Sequence, residues 1–267
     1  MDVIAIDNYL KLLKLPDFRH RQIIKNYYSG RYQSFSEMSD LPKDLRISLA
    51  EKFSLLSVSE IKLLKGTDTK KTVLKLSDNL SIESVLMDYD QWITACVSSQ
   101  VGCSLNCKFC ATGKMGFKRD LTSEEIIDQI LYWNNKLSPQ YVGRIVFMGM
   151  GEPFLNWENL LAALKIIKEN LNIGSRKISI STAGIIPRIY DFANLTTEIN
   201  LAISLHAPNQ KTREEIMPIS KLYSFSDLIK SLNYYTSHTR RQLFLEYALI
   251  KNVNDSVGKL NDLYTNS

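Results

Sequence analysis

All four cysteines of this 267-residue chain fall between positions 96 and 110. Cys103, Cys107 and Cys110 follow a C-x3-C-x2-C spacing, and Cys96 stands seven residues upstream. Thiolates this close repel one another unless a cation neutralises them, so the clustering points to a metal. Structural zinc takes four ligands and a closed iron–sulfur site usually takes four cysteines, whereas the tight group offers three. One reading is a [4Fe–4S] cluster with one iron left open for a substrate. The other is a Cys3His zinc site completed by His20, His206 or His238, none of them close to the cysteines in sequence. The spacing favours iron–sulfur and leaves zinc open. A disulfide framework does not suit four cysteines in a chain of this length.

Further polar groups sit where apolar strands are expected to end. Gly149-Met-Gly151-Glu152-Pro153 follows one such strand. Its glycines let the backbone approach a ligand, and Glu152 can accept from a cationic amine. Ser181-Thr-Ala-Gly184 and Ser204-Leu205-His206-Ala-Pro208-Asn209 end two more strands and bring hydroxyl, imidazole and backbone groups. A lone histidine reads as structural; His206 becomes a candidate because it shares a strand end with these motifs. Val253-Asn254-Asp255 reads equally as a helix cap. Glu83 interrupts an apolar strand and reads first as a solvent-facing residue.

The elements that must position these groups follow from periodicity. Helices are expected over residues 8–15, 18–28 and 42–53, the last with Leu45, Leu49 and Phe53 on one face. Arg19, Arg21, Lys25 and Arg31, with Tyr27, Tyr28 and Tyr32, suggest a phosphate-contacting face with stacking rings. Residues 71–76 and 81–87 alternate around Asp78-Asn79, which predicts a hairpin. From Trp92 the rhythm becomes strand, helix, strand, helix. Strands are expected at 92–99, 144–149, 177–181, 200–205 and 242–250. Helices are expected at 121–137, 157–170, about 185–194, 211–217 with 225–237, and 256–266. Thr122 with Glu125 forms a capping-box signature. Such alternation implies parallel βα units, whose ligands gather at the C-terminal ends of the strands. Five units are too few for a closed eight-unit barrel.

Residues 1–75 hold 14 Lys/Arg against 9 Asp/Glu, and the rest of the chain is balanced, so all the excess of +5 is N-terminal. That fits a small RNA-approaching domain on a neutral catalytic body. No apolar run approaches a membrane span and no secretory segment opens the chain, so a cytoplasmic protein with reduced thiols is expected.

Phe109 immediately before the last cysteine completes a signature that resembles the radical S-adenosylmethionine (SAM) superfamily. The wider string, from Cys96-Val-Ser-Ser-Gln-Val-Gly-Cys103 through Phe109-Cys110-Ala-Thr-Gly-Lys-Met-Gly-Phe117, resembles the RlmN/Cfr family of RNA methyltransferases. Phe18-Arg-His-Arg-Gln22, Phe35-Ser-Glu-Met38 and Leu41-Pro-Lys43 resemble that family's accessory domain, so the resemblance runs from about Leu15 onward. It implies an α/β fold with three parts: a helical accessory domain (1–70), a β-hairpin extension (71–91) and a partial (βα)6 radical SAM barrel (92–267). It implies a [4Fe–4S] cluster on Cys103, Cys107 and Cys110, and SAM held by Gly151, Glu152, Ser181, Ser204, Leu205 and His206. Glu83 takes the place of a proton-accepting glutamate. Cys96 takes that of a thiol that helps release an RNA–protein adduct and can form a disulfide.

The implied reaction methylates C2 of an adenine in 23S rRNA and tRNA, using two SAM molecules and a methylated cysteine. Methylation of C8 by a Cfr-like enzyme is the neighbouring alternative, and a non-catalytic iron–sulfur or zinc RNA-binding protein is the other. An electron donor such as flavodoxin or ferredoxin, no membrane and a monomeric state are expected. The family's methyl-carrying cysteine lies beyond a sixth strand, and no cysteine follows Cys110, so the chain reads as a C-terminally truncated member.

Overall fold

The computed structural model describes Met1, residues 3–195, residues 197–256 and Gly258. Three helices come first: α1 (Val3–Leu12), α2 (Asp17–Tyr28) and α3 (Lys43–Lys52). Helix α1 lies earlier than residues 8–15, because the chain turns at Lys14, whose φ is 53°. Four strands follow: β1 (Val58–Lys65), β2 (Thr69–Leu76), β3 (Ser81–Tyr89) and β4 (Trp92–Cys96). Then come β5 (Gln100–Gly102), α4 (Ala111–Lys114), β6 (Phe117–Asp120), α5 (Ser123–Leu137) and β7 (Arg144–Phe147). The remainder alternates: α6 (Trp157–Asn170), β8 (Ile178–Thr182), α7 (Ile186–Ala193), β9 (Asn200–Ser204), α8 (Gln210–Ile216), α9 (Phe225–Thr239) and β10 (Phe244–Glu246). The helix expected at 256–266 lies, apart from Ser256 and Gly258, outside the described residues.

The chain forms two compact units. The first comprises Met1–Ser98, Leu121–Ile145 and Leu161–Ile173; the second comprises Ser99–Asp120, Val146–Leu160 and Gly174–Ser267.

In the first unit the expected two-stranded hairpin is part of a four-stranded antiparallel sheet ordered β1-β2-β3-β4. The expectation that residues 1–70 are helical throughout fails at β1. Its Lys, Glu and Leu favour helix intrinsically, but pairing from Val58↔Leu76 to Lys65↔Lys70 satisfies its backbone instead. The turn between β2 and β3 forms as predicted, with Asn79 at φ 68° and Leu80 N–H donating to Asp78 Oδ1. The capping box of α5 also forms: Glu125 N–H donates to Thr122 Oγ1 and Thr122 N–H to Glu125 Oε2. Buried Asp128 on α5 accepts from the Met1 α-ammonium at 3.0 Å, from the Tyr27 hydroxyl and from Ser57 N–H and Oγ. Tyr27 is therefore a core residue and leaves the proposed stacking face.

In the second unit β8, β9 and β10 are parallel neighbours, with Ser181 opposite Ala202 and Ser204 opposite Glu246. Residues two apart share a face, so this register sets Ser181, Ser204 and Glu246 together at the strands' C-terminal ends. Phe154, Trp157, Phe192 and Tyr235 pack ring against ring in the core of this unit. Several strands are shorter than expected. Strand β4 stops at Cys96, short of residue 99 and before the separate ribbon starts at Gln100; β7 stops at Phe147, and β10 occupies only part of 242–250.

Candidate functional site

The cysteine segment is closed at its base by the β5–β6 ribbon, which the sequence did not reveal. Gly102 sits at φ 77°, where a Cβ would lie 1.8 Å from Gly116 O, so only glycine fits. Cys103 N–H donates to Gly116 O, and Lys108 N–H to Ile216 O on α8, which ties the loop to the barrel side of the unit. Cys103 and Cys107 are buried, Cys110 is half-buried, and none of the four cysteines is disulfide-bonded. The disulfide expected at Cys96 is absent.

Burial pushes the Cys103 thiol up. Burial, then the neighbouring Cys103 and Cys110 charges, push Cys107 up to about 12 against the pull of Arg213. Both therefore hold their protons at neutral pH until a cation compensates. Among the described residues, no group of three or more His, Cys, Asp or Glu side chains is gathered to hold a single metal ion.

Glu152 faces the same space and is 3% exposed. Its Oε1 accepts from Phe154 N–H at 2.9 Å and its Oε2 from Ala183 N–H at 2.7 Å. Burial raises it to about 7, against the pull of those bonds. Its own N–H donates to Gln100 Oε1, and Gly151, at φ 101°, passes so close that a Cβ would meet Gln100 at 2.6 Å.

On the adjoining strands, Ser181 Oγ and Ser204 Oγ both donate to Glu246 Oε2, at 2.5 and 3.0 Å. Leu205 buries its side chain and offers only its backbone: its N–H donates to Glu246 O, and its carbonyl accepts from Arg213 Nε. His206 has φ 55°, and its Nδ1 accepts from Ala248 N–H at 3.0 Å. Burial lowers its pKa, so the neutral ring carries its proton on Nε2. Fully buried Asn254, read before as a possible cap, donates to His206 O and Ala248 O and so pins this turn.

The three cysteines, Glu152, Ser181, Ser204, His206 and Glu246 line one cavity of about 320 Å³. No lysine or arginine is among its described lining residues. Glu83 and Cys96 belong to the first unit. Glu83 is a half-buried strand residue paired with Lys71 at 2.7 Å, and Cys96 lies on β4 opposite Val85. Of the other histidines, His20 borders Asp7 in the first unit and His238 stacks on Tyr234 in α9.

Sequence reasoning missed Gln100, Arg213 and Glu246. Arg213 stands on the helix expected at 211–217; it is fully buried and donates to Leu205 O, Ala183 O, Ser204 O and Ser220 Oγ.

Residues 97–262 match the family model described as "Radical SAM superfamily" and residues 1–55 match "Ribosomal RNA large subunit methyltransferase N-terminal domain". A probable dual-specificity RNA methyltransferase RlmN of Dictyoglomus thermophilum is 42% identical over 258 residues, 95% of this chain and 74% of that protein. The chain belongs to the RlmN family of radical SAM methyltransferases. Its RlmN relative in Bacillus subtilis is 42% identical over 251 residues, 92% of this chain and 69% of that one. The crystal structure of a radical SAM methyltransferase from Sphaerobacter thermophilus superposes with a TM-score of 0.91 at 35% identity, covering 100% of this chain and 80% of that one. RlmN membership makes the chain an enzyme of the methyltransferase class and accounts for both its mixed α/β fold and its helical N-terminal part. Among the described residues, no helix is long and apolar enough to cross a membrane.

Proposed function

We propose that this protein methylates C2 of an adenine in 23S rRNA and in tRNA, with a [4Fe–4S] cluster and SAM as cofactors. The observation that carries the reading is the cavity that Cys103, Cys107 and Cys110 share with Glu152, Ser181, Ser204 and His206. A cubane takes one thiolate per iron, so its ligands need not converge on one point; a zinc ion would require convergence at about 2.0–2.3 Å. The C-x3-C-x2-C spacing of Cys103, Cys107 and Cys110, all lining this one cavity, supports the cubane reading.

When bound, cluster and SAM supply the radical chemistry that an electron-poor aromatic C–H demands. The chain's own residues bind and orient. Gly151 lines the cavity through its backbone while Gln100 packs against it, and the Glu152 carboxylate accepts from the SAM ammonium. His206, fixed by Ala248 and Asn254, offers Nε2–H and its edge-to-face neighbour Phe109 at 4.8 Å. Glu83 serves as proton acceptor and Cys96 as the thiol that releases the adduct. The basic face of Arg19, Arg21, Lys25 and Arg31 contacts RNA phosphates.

A flavodoxin- or ferredoxin-type donor, a cytoplasmic setting and a second SAM that methylates a protein cysteine complete the proposal. Mass spectrometry of rRNA and tRNA tests it in cells that lose and then regain the gene. 2-Methyladenosine disappears and returns if the reading holds. 8-Methyladenosine would establish the Cfr-like activity instead, and unchanged adenine would overturn both. Anaerobic reconstitution, with an electron paramagnetic resonance signal that shifts on adding SAM, tests the cofactor assignment.

A further inference from the structure

We infer that Glu246 is a positioning residue that turns Ser181 and Ser204 into hydrogen-bond acceptors for the ribose hydroxyls of SAM, an inference that rests on SAM occupying this cavity. A carboxylate can only accept, so both serine hydroxyls must direct their single proton to Glu246 Oε2. The 3.3 Å approach of the two Oγ atoms is then a contact between acceptors held together by a shared partner. Toward the cavity each serine presents only lone pairs, and the remaining Glu246 oxygen presents the same.

The register makes this wall possible. Ser204 and Glu246 are direct partners on β9 and β10, and Ser181 stands on the neighbouring β8. Arg213 holds the same strand ends from below, through Ser204 O and Ala183 O, without lining the cavity. An acceptor-only wall cannot bind a carboxylate, which would meet three sets of lone pairs and a like charge. It suits a pair of hydroxyl donors, which a nucleoside ribose supplies. The SAM carboxylate must therefore find its donors elsewhere, and Ser181 and Ser204 serve the ribose alone.

Calorimetry on the cluster-reconstituted protein tests this with three probes: S-adenosylhomocysteine, its 2′,3′-dideoxyribose analogue, and methionine, which has the ammonium and carboxylate but no ribose. The wild type prefers the ribo form over the dideoxy form by about tenfold or more. In Glu246→Gln the amide can donate back to a serine, and this preference falls below threefold while methionine binds as in the wild type. Ser204→Ala, which leaves Glu246 in place, lowers the preference part-way and guards against a folding defect in the first variant. Iron content and circular dichroism check both. A preference unchanged in Glu246→Gln, or methionine affinity falling in parallel with it, overturns the inference. A wild type that binds none of the three probes overturns the SAM assignment itself, and the inference with it.

Discussion

Glu152 Oε2 accepts from the backbone N–H of Ala183 at 2.7 Å, so the carboxylate of one strand-end motif is also the hydrogen-bond partner of the next. The pair couples the Gly151-Glu152 turn to the segment that follows Ser181. Burial holds this carboxyl near 7, well above its ordinary value of 4.5. A pKa raised by folding contributes stability at pH below 4.5, and that contribution is lost as pH rises through about 7. The metal-free wild type should therefore lose on the order of 3 kcal/mol relative to Glu152→Gln between pH 4 and 8. Urea unfolding of both proteins across that range checks it, and parallel pH profiles would refute it.

The same titration governs the cofactor's amine. An ammonium ligand needs the ionised Glu152, so SAM affinity should rise with pH up to about 7 and then level off. Below that point each pH unit costs about tenfold. Glu152→Gln should bind SAM weakly and without this slope, as read by calorimetry of the reconstituted protein.

Cys107, pushed up to about 12 by burial and by Cys103 and Cys110, should be a poor nucleophile in the metal-free protein. Iodoacetamide at pH 8 should alkylate it on the order of a hundredfold more slowly than a free peptide thiol. Iron loading should then protect it altogether. Mass spectrometry of the digested protein distinguishes these states. Cys107→Ser should fail to retain iron at the wild-type stoichiometry.

Arg213 ties three carbonyls and Ser220 together with no exposure to water. Arg213→Met should destabilise by about 3 kcal/mol, because those carbonyls become buried acceptors without donors. Arg213→Lys should recover little of this, since one ammonium cannot reproduce the planar fork. The denaturation midpoint should fall in both variants at an unchanged slope.

Gly102→Ala should break the base of the cysteine loop, because its Cβ would overlap Gly116 O at 1.8 Å. The β5–β6 ribbon must shift to admit it. Iron retention should drop while the first unit, which does not contain the ribbon, keeps its helical signal. Full iron content in the variant would show that the ribbon does not brace the loop.

Taken alone, the amino-acid sequence determined the chemistry-bearing residue types and much of the local structure. The cysteine spacing, the Gly151-Glu152 turn, the α5 capping box and α6 all depend on neighbours within a few positions, and all were legible. The α/β alternation was legible too, because each strand and helix carries its own period. Only the tertiary structure decided β1, where an antiparallel ladder with β2 overrode helix-favouring residues. It decided that Tyr27 is core, because Asp128 lies 101 positions away. It also set the polarity of the cavity. Whether Ser181 donates or accepts depends on Glu246, 65 residues later, and the His206 tautomer depends on Ala248. Strand register brings these partners together, and register is a property of pairs of segments that no single segment encodes.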